Sequence, residues 1–198
     1  MPAPDRGPSS THLDAEGSAM ITIRQETRFD VGRREALLDE AFGEGRFGKT
    51  AERLREERLP EHGLSLVACA GNRLVGTVRL WNIAAGPGRP ALLLGPLAVA
   101  SEVRGCGIGG RLMRHAIKQS ERRGHKAILL VGDAPYYGRF GFSAEQTGAL
   151  WLPGPYARER LLAHELVPGA LADARGLINP TGRTEPKTAV VARLARAA

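Results

Sequence analysis

The stretch Arg104-Gly105-Cys106-Gly107-Ile108-Gly109-Gly110 decides the fold. Its four glycines remove the side chains that would hold a ligand away from the main chain, so successive N–H groups can converge on one anion. A helix that begins there adds its own unpaired N–H groups and the positive end of its dipole. The stretch reads as a pyrophosphate cradle.

The flanks support that reading independently. After the glycines, Ile108, Leu112, Met113, Ala116 and Ile117 recur at helical spacing, while Arg111, Arg114, Lys118, Gln119, Glu121 and Arg122 fall on the opposite face. Gly124 is placed to end this helix in the left-handed conformation. Upstream, residues 91–100 are apolar, bounded by the turn signal Gly86-Pro87-Gly88 and interrupted at Gly95-Pro96. Proline lacks the N–H that a central ladder needs, so the pattern predicts a buried strand distorted at that dipeptide. Downstream, Ala127-Ile128-Leu129-Leu130-Val131 predicts a second buried strand, stopped by Gly132-Asp133. Strand, loop, helix and strand make one βαβ unit.

Three phosphate-binding patterns use such a unit, and spacing separates them. The Walker pattern needs Lys and then Ser or Thr directly after the last glycine; Arg111-Leu112 stand there instead. The dinucleotide fingerprint fits better, since Gly105, Gly107 and Gly110 spell G-x-G-x-x-G and Asp133 closes the next strand, where a ribose-binding acid would lie. Against it, the charged spacer Ser101-Glu102-Val103-Arg104 separates strand from glycine, whereas a dinucleotide fold turns sharply out of its strand. No clear second set of alternating strands and helices follows the unit.

The spacing Arg104-x-x-Gly107-x-Gly109 resembles the acetyl-coenzyme A loop of the GCN5-related N-acetyltransferase (GNAT) superfamily, whose pattern is Arg or Gln, two residues, Gly, one residue, Gly or Ala. Downstream, Tyr136-Tyr137-Gly138-Arg139-Phe140-Gly141-Phe142 is similar to that superfamily's second hallmark, a tyrosine in a short helix followed by Gly-Phe entering the next strand. The phrase from Gly132 through Phe142 resembles the bacterial YhbS-like branch in particular, and the resemblance spans residues 20–166. It implies an α/β fold: a central mixed, mostly antiparallel sheet flanked by helices, with a V-shaped splay between the two middle parallel strands. It also implies a donor site of Leu97, Ala98 and Val99 on the splayed strand and Arg104, Gly105, Cys106, Gly107, Ile108, Gly109 and Gly110 in the loop, with acetyl-CoA as co-substrate. Tyr137, whose offset from Gly141-Phe142 matches the family tyrosine, is then the general acid for the departing thiolate. Read as residues alone, Tyr136 and Tyr137 suit the core equally, since tyrosine buries much apolar area for one hydrogen-bond partner.

The rest of the composition sets limits. A chain of 198 residues with 42% hydrophobic content buries a real core, and one domain is the natural count. Its organisation is read as a polar tail expected to be disordered over 1–19, the domain that carries the acetyltransferase resemblance over 20–167 and an extension over 168–198 that is loop with an extra strand or ordered tail at Thr188-Ala189-Val190-Val191-Ala192. Within the domain, hydrophobic patterning predicts a first strand at Met20-Ile21-Thr22-Ile23-Arg24 and a helix over 30–42. A shorter helix opens at Thr50, strands over 65–70 and 74–83 flank the hairpin signal Gly71-Asn72, and a last strand covers 160–167. No apolar run reaches the eighteen or so residues of a membrane span, and the start Met1-Pro2-Ala3-Pro4-Asp5 lacks a signal peptide's hydrophobic segment, so a cytoplasmic protein is expected.

Two cysteines, Cys69 and Cys106, form no disulfide framework or metal spacing, and the histidines show no H-x-x-x-H pair, so no metal is implied. Cys69 belongs to an apolar strand. Cys106 stands where a helix N-terminus favours the thiolate, but the resemblance gives that position a backbone role. The net charge of +7 is concentrated: residues 101–126 hold seven basic and two acidic side chains. Coenzyme A phosphates are one partner for that charge. Nucleic acid is another, disfavoured because no aromatic residue is interleaved with the basic positions.

For the chemistry, the resemblance implies direct attack of an amine on the thioester, with backbone N–H groups near Leu97 to Val99 holding the donor's arm. A base is harder to assign, since the distorted strand contains no carboxylate or histidine; Glu61, His62 and Asp133 are the candidates, with Asp133 also suited to capping the tyrosine-bearing turn. The expected activity is N-acetyl transfer to a small-molecule or peptide amine, with a homodimer in keeping with the resembling family. The contrasting expectation is a protein of the same fold that senses the acyl donor or binds RNA without turnover.

Overall fold

The computed structural model describes residues 20–186. The tail expected over 1–19 and the strand expected at Thr188-Ala189-Val190-Val191-Ala192 lie outside the described residues. In chain order the elements are β1 (Ile21–Gln25), α1 (Val31–Phe42), β2 (Ser65–Ala70), β3 (Arg73–Ala85), β4 (Pro90–Val99), α2 (Ile108–Arg122), β5 (Ala127–Val131), α3 (Ala134–Tyr137), β6 (Leu150–Trp151), β7 (Leu161–Glu165) and β8 (Gly176–Pro180), with a 3-10 helix over Thr50–Leu54. The sheet runs β1-β2-β3-β4-β5-β7. Only β4 and β5 are parallel along that path, which is the mixed, mostly antiparallel sheet expected.

Side chains of a strand alternate between its two faces, and here both faces are covered. On β4, Leu92 and Leu94 join the core beneath α1 and α2, while Ala91 and Leu93 point into the core of the opposite face. On β5, Ile128 and Leu130 take the first core and Ala127 and Leu129 the second. Burial on both sides is why these strands read as unbroken apolar runs. Ile108, Leu112, Met113 and Ala116 of α2 fill the first core as the helical spacing predicts. Gly124, with φ +78°, follows the helix in the left-handed conformation anticipated for it.

The entry to α1 rests on a buried carboxylate. Asp30 accepts two parallel bonds from the Arg24 guanidinium at 2.7 and 2.8 Å, and two more from the N–H and hydroxyl of Thr27. Arg24 beside it holds the Asp30 carboxyl well below the usual carboxylate range.

Residues 168–186 depart from the loop expected of them. Gly176–Pro180 forms β8, which pairs antiparallel with the far end of β3 at Ile83, Ala84 and Ala85 and parallel with β6. β2 covers β3 only as far as Arg79, so the long strand leaves an edge that β8 fills. Ile178, Leu171 and Ala174 close the second core there. The strand escaped the sequence reading because its only buried side chain is Ile178.

Gly76 of β3 sets how closely α2 approaches the sheet. A Cβ at that position would lie 3.0 Å from Leu112 Cδ1 and 3.3 Å from Ile108 Cγ2. Overpacking of this kind costs about 1–3 kcal/mol, so Gly76→Val is expected to lower the unfolding free energy by that amount, read as a lower denaturation midpoint at an unchanged m-value. An unaltered midpoint would show that α2 is not seated on this glycine.

Candidate active site

The site begins where β4 leaves β5. Those two strands are paired only at Leu92↔Ile128 and Leu93↔Leu129. Just beyond, the β3–β4 register shifts so that Arg79 alone faces two residues, Gly95 and Pro96, a bulge at the predicted position. Gly95 has φ +129°, which favours glycine, and its carbonyl accepts a 2.8 Å hydrogen bond from the Trp81 indole. After the bulge, Leu97, Ala98 and Val99 rejoin β3 opposite Val78, Thr77 and Gly76, while their other edge has left β5 behind. This is the V-shaped splay.

The glycine loop follows directly. Gly105 and Gly107 have φ +85° and +72°, and Gly107 is the N-cap of α2. Arg104 and Cys106 donate their N–H groups inside the turn, to the carbonyls of Ser101 and Val103. The N–H groups of Gly105, Gly107, Ile108, Gly109 and Gly110 have no acceptor among the described residues. They lie at the start of a fifteen-residue helix, the polar environment that receives phosphate oxygens. Arg104 is exposed beside them, with no ion-pair partner among the described residues. Arg111, by contrast, binds the Ile21 carbonyl at 2.8 Å and ties α2 to β1. Cys106 is exposed and Cys69 buried.

The tyrosine turn sits over this loop. Gly109 has no side chain because the Tyr136 hydroxyl occupies that space, 2.8 Å from where a Cβ would stand. Tyr136 and Tyr137 meet edge to face at 4.9 Å between ring centroids, and Arg139 stacks over the Tyr136 ring at 4.4 Å. Tyr137 packs against Gly132, where a Cβ would overlap its ring. Burial, with smaller effects from Tyr136 and Asp133 and opposed by Arg160, pushes the Tyr137 hydroxyl up to about 12. It therefore keeps its proton throughout the neutral range.

Tyr137 and residues 94–97 line one cavity of about 500 Å³. Its other walls come from the end of α1 with the 3-10 helix after it, and from the segment between β6 and β7: Lys49, Thr50, Arg55, Pro155, Tyr156 and Arg160. No aspartate, glutamate or histidine is among the lining residues. Glu61 and His62 instead line a second recess of about 280 Å³, where Glu61 accepts from the Asn82 amide. Asp133 lines neither. It occupies the N-cap of α3, but without the side-chain hydrogen bond expected of a cap; its carbonyl accepts from the N–H groups of Tyr136 and Tyr137 at 3.0 Å each. The expected bases are thus not gathered around Tyr137. What the sequence reading missed are Arg55 and Arg160, which it had no means to distinguish from other surface arginines.

Comparison with known proteins agrees with this geometry. The sequence profile of the acetyltransferase (GNAT) family matches residues 33–142. The chain is 34% identical over 120 residues to the uncharacterized N-acetyltransferase YjhQ of Escherichia coli, a match covering 59% of this chain and just under two thirds, 65%, of YjhQ. It is 27% identical to the uncharacterized N-acetyltransferase YhbS of the same organism, over 80% of this chain and 95% of YhbS. The crystal structure of YhbS in complex with CoA superposes with a TM-score of 0.72 at 26% identity, over 85% of this chain and 93% of that one. A GNAT family acetyltransferase from Brucella melitensis, solved with acetyl-CoA, gives a TM-score of 0.54 at 27% identity, over 74% and 96%. With the splayed strands, the glycine cradle and the profile in register on one chain, this protein belongs to the acetyltransferase (GNAT) family.

Proposed function

We propose that this protein transfers an acetyl group from acetyl-CoA to the primary amine of an acceptor bound in the cavity beside Tyr137. The observation that carries the proposal is the placement of Tyr137 in one cavity with residues 94–97, at the point where β4 leaves β5. The acyl donor supplies a carbonyl carbon already activated as a thioester. The free N–H groups of 105 and 107–110, with Arg104 beside them, bind its pyrophosphate. The unpaired edge of Leu97, Ala98 and Val99 holds the pantetheine arm by strand-like hydrogen bonds, as the CoA complex of YhbS supports by likeness of fold.

Tyr137 donates its proton to the leaving sulfur. A coenzyme A thiol that behaves like cysteine has a pKa of roughly 8.5, so transfer from a phenol near 12 would run uphill by itself. Coupling supplies the difference, because the attacking nitrogen becomes strongly acidic once its lone pair bonds to carbon, and its proton replaces the one that Tyr137 gives up. One proton leaves nitrogen and one reaches sulfur, and Tyr137 ends as it began. The cationic lining of Lys49, Arg55 and Arg160 disfavours an ammonium in the cavity and so selects the free amine that attacks, which dispenses with a carboxylate base.

Four measurements test this. Calorimetric titration is expected to give micromolar binding of acetyl-CoA and none of NADH, with binding abolished in Gly107→Glu, which puts a side chain at φ +72° and a negative charge in the cradle. No donor binding, or preference for NADH, overturns the proposal. Tyr137→Phe should lower kcat by about 10²–10⁴ while donor affinity stays within a factor of about two. Because the hydroxyl titrates near 12, the wild-type kcat profile should rise as the acceptor amine deprotonates and show no alkaline fall below about pH 10. Gly132→Ala, which pushes the Tyr137 ring aside, is expected to reproduce most of the kcat loss with the hydroxyl still present; unchanged kcat in either variant removes Tyr137 from the chemistry.

A further inference from the structure

Arg55 is the unexplained group in the cavity. Its side chain is 11% exposed, and it is anchored through Nη1 to Glu52 at 3.1 Å. Its Nε is the one buried side-chain nitrogen or oxygen among the described residues without a hydrogen-bond partner. Nη2 lies 3.0 Å from where a Cβ of Gly95 would stand, at the bulge that opens the splay. Burial lowers the pKa of this guanidinium, with Glu52 opposing the effect. A charged group kept from water with one donor unmatched is costly, and such a group calls for an explanation.

Nε and Nη2 form the side-on edge of a guanidinium, whose two parallel N–H groups match the two oxygens of a carboxylate. Glu52 holds the far nitrogen and leaves this edge uncommitted. Lys49 and Arg160 add positive charge to the same walls, and no acidic side chain lines them. The volume of about 500 Å³ is that of a small-molecule site. We propose that the acceptor is a small amine that also carries a carboxylate, an amino acid or a close relative, with Arg55 turning its Nε/Nη2 edge onto the carboxylate while the amine faces Tyr137. This rests on the acetyltransfer reading above and specifies its substrate class. An ammonium-rich polyamine is excluded by the same charge that attracts the acid.

The experiment compares acceptors in matched pairs that differ by the carboxylate alone: lysine against cadaverine, tyrosine against tyramine, phenylalanine against phenethylamine. Aminoalkylphosphonates serve as the phosphate-like arm, and acetyl-CoA binding is followed in parallel by calorimetry. The carboxylated member of the productive pair should be favoured about 10²-fold in kcat/KM, because a site with charged donors rejects an analogue that leaves them unmatched. Arg55→Gln should collapse that ratio toward one, chiefly by raising KM for the carboxylated member, with Arg55→Lys recovering part of it and donor affinity unchanged. Arg160→Gln, at an exposed position, should reduce the ratio more weakly and guards against misfolding of the Arg55 variants. Equal or better turnover of the decarboxylated members, preference for phosphonates, an undiminished ratio in folded Arg55→Gln, or no turnover of any carboxylated amine by a protein that binds acetyl-CoA would each overturn the proposal. Failure to bind the donor would instead strike the acetyltransfer reading.

Discussion

β4 and β5 stay hydrogen-bonded for only two ladder positions before they part, and the site of this protein depends on that parting. A parallel ladder needs an N–H and a regular backbone at each step. Gly95, at φ +129°, and Pro96, with no N–H, supply neither, so the ladder ends and a bulge bends β4 away. Strand edges inside a sheet are normally paired, and an open one is a binding surface. Here the opening is held on one side by continued pairing of 97–99 with β3 and anchored at its apex by the Trp81 indole on the Gly95 carbonyl. The wedge is therefore a fixed feature of the backbone.

Three glycines then bring the separate parts of the site into contact. Gly76 lets α2 lie close on the sheet, which sets the position of the glycine loop relative to β4. Gly109 makes room for the Tyr136 hydroxyl, so that the tyrosine turn rests on the first turn of α2. Gly132 makes room for the Tyr137 ring, which lines the cavity. None of these three has a positive φ, so their requirement is for space and not for backbone freedom. The glycine loop and the tyrosine turn thereby share one rigid support.

The electrostatics are uneven in a useful way. Asp30 at the N-terminus of α1 is paired with Arg24, and Glu52 holds one nitrogen of Arg55, whereas the cavity walls themselves carry lysine and arginine without a lining carboxylate. A cavity of that sign binds anions and depresses ammonium pKa values. The absence of a base from the lining residues is thus consistent with a reaction that begins from the free amine.

Much of this was legible in the sequence. The glycine loop, the helix after it, the bulge at Gly95-Pro96 and the tyrosine turn are written locally, because each rests on backbone freedom, a missing N–H or a hydrophobic period within a dozen or so residues. The same holds for β4 and β5, whose double-sided burial shows as continuous apolar runs. What the tertiary structure decided lies between elements distant along the chain. β8 is a strand because β3 outruns β2 and leaves an edge, not because Gly176–Pro180 carries a strong strand pattern. Glu61 and His62 fall in a different recess from Tyr137, and Arg55 reaches the bulge forty residues away; no spacing rule could have sorted those side chains. The sequence by itself determined the glycine cradle, because backbone geometry is a local property; only the folded chain decided the cavity beside Tyr137, because its walls are assembled from four segments that packing alone brings together.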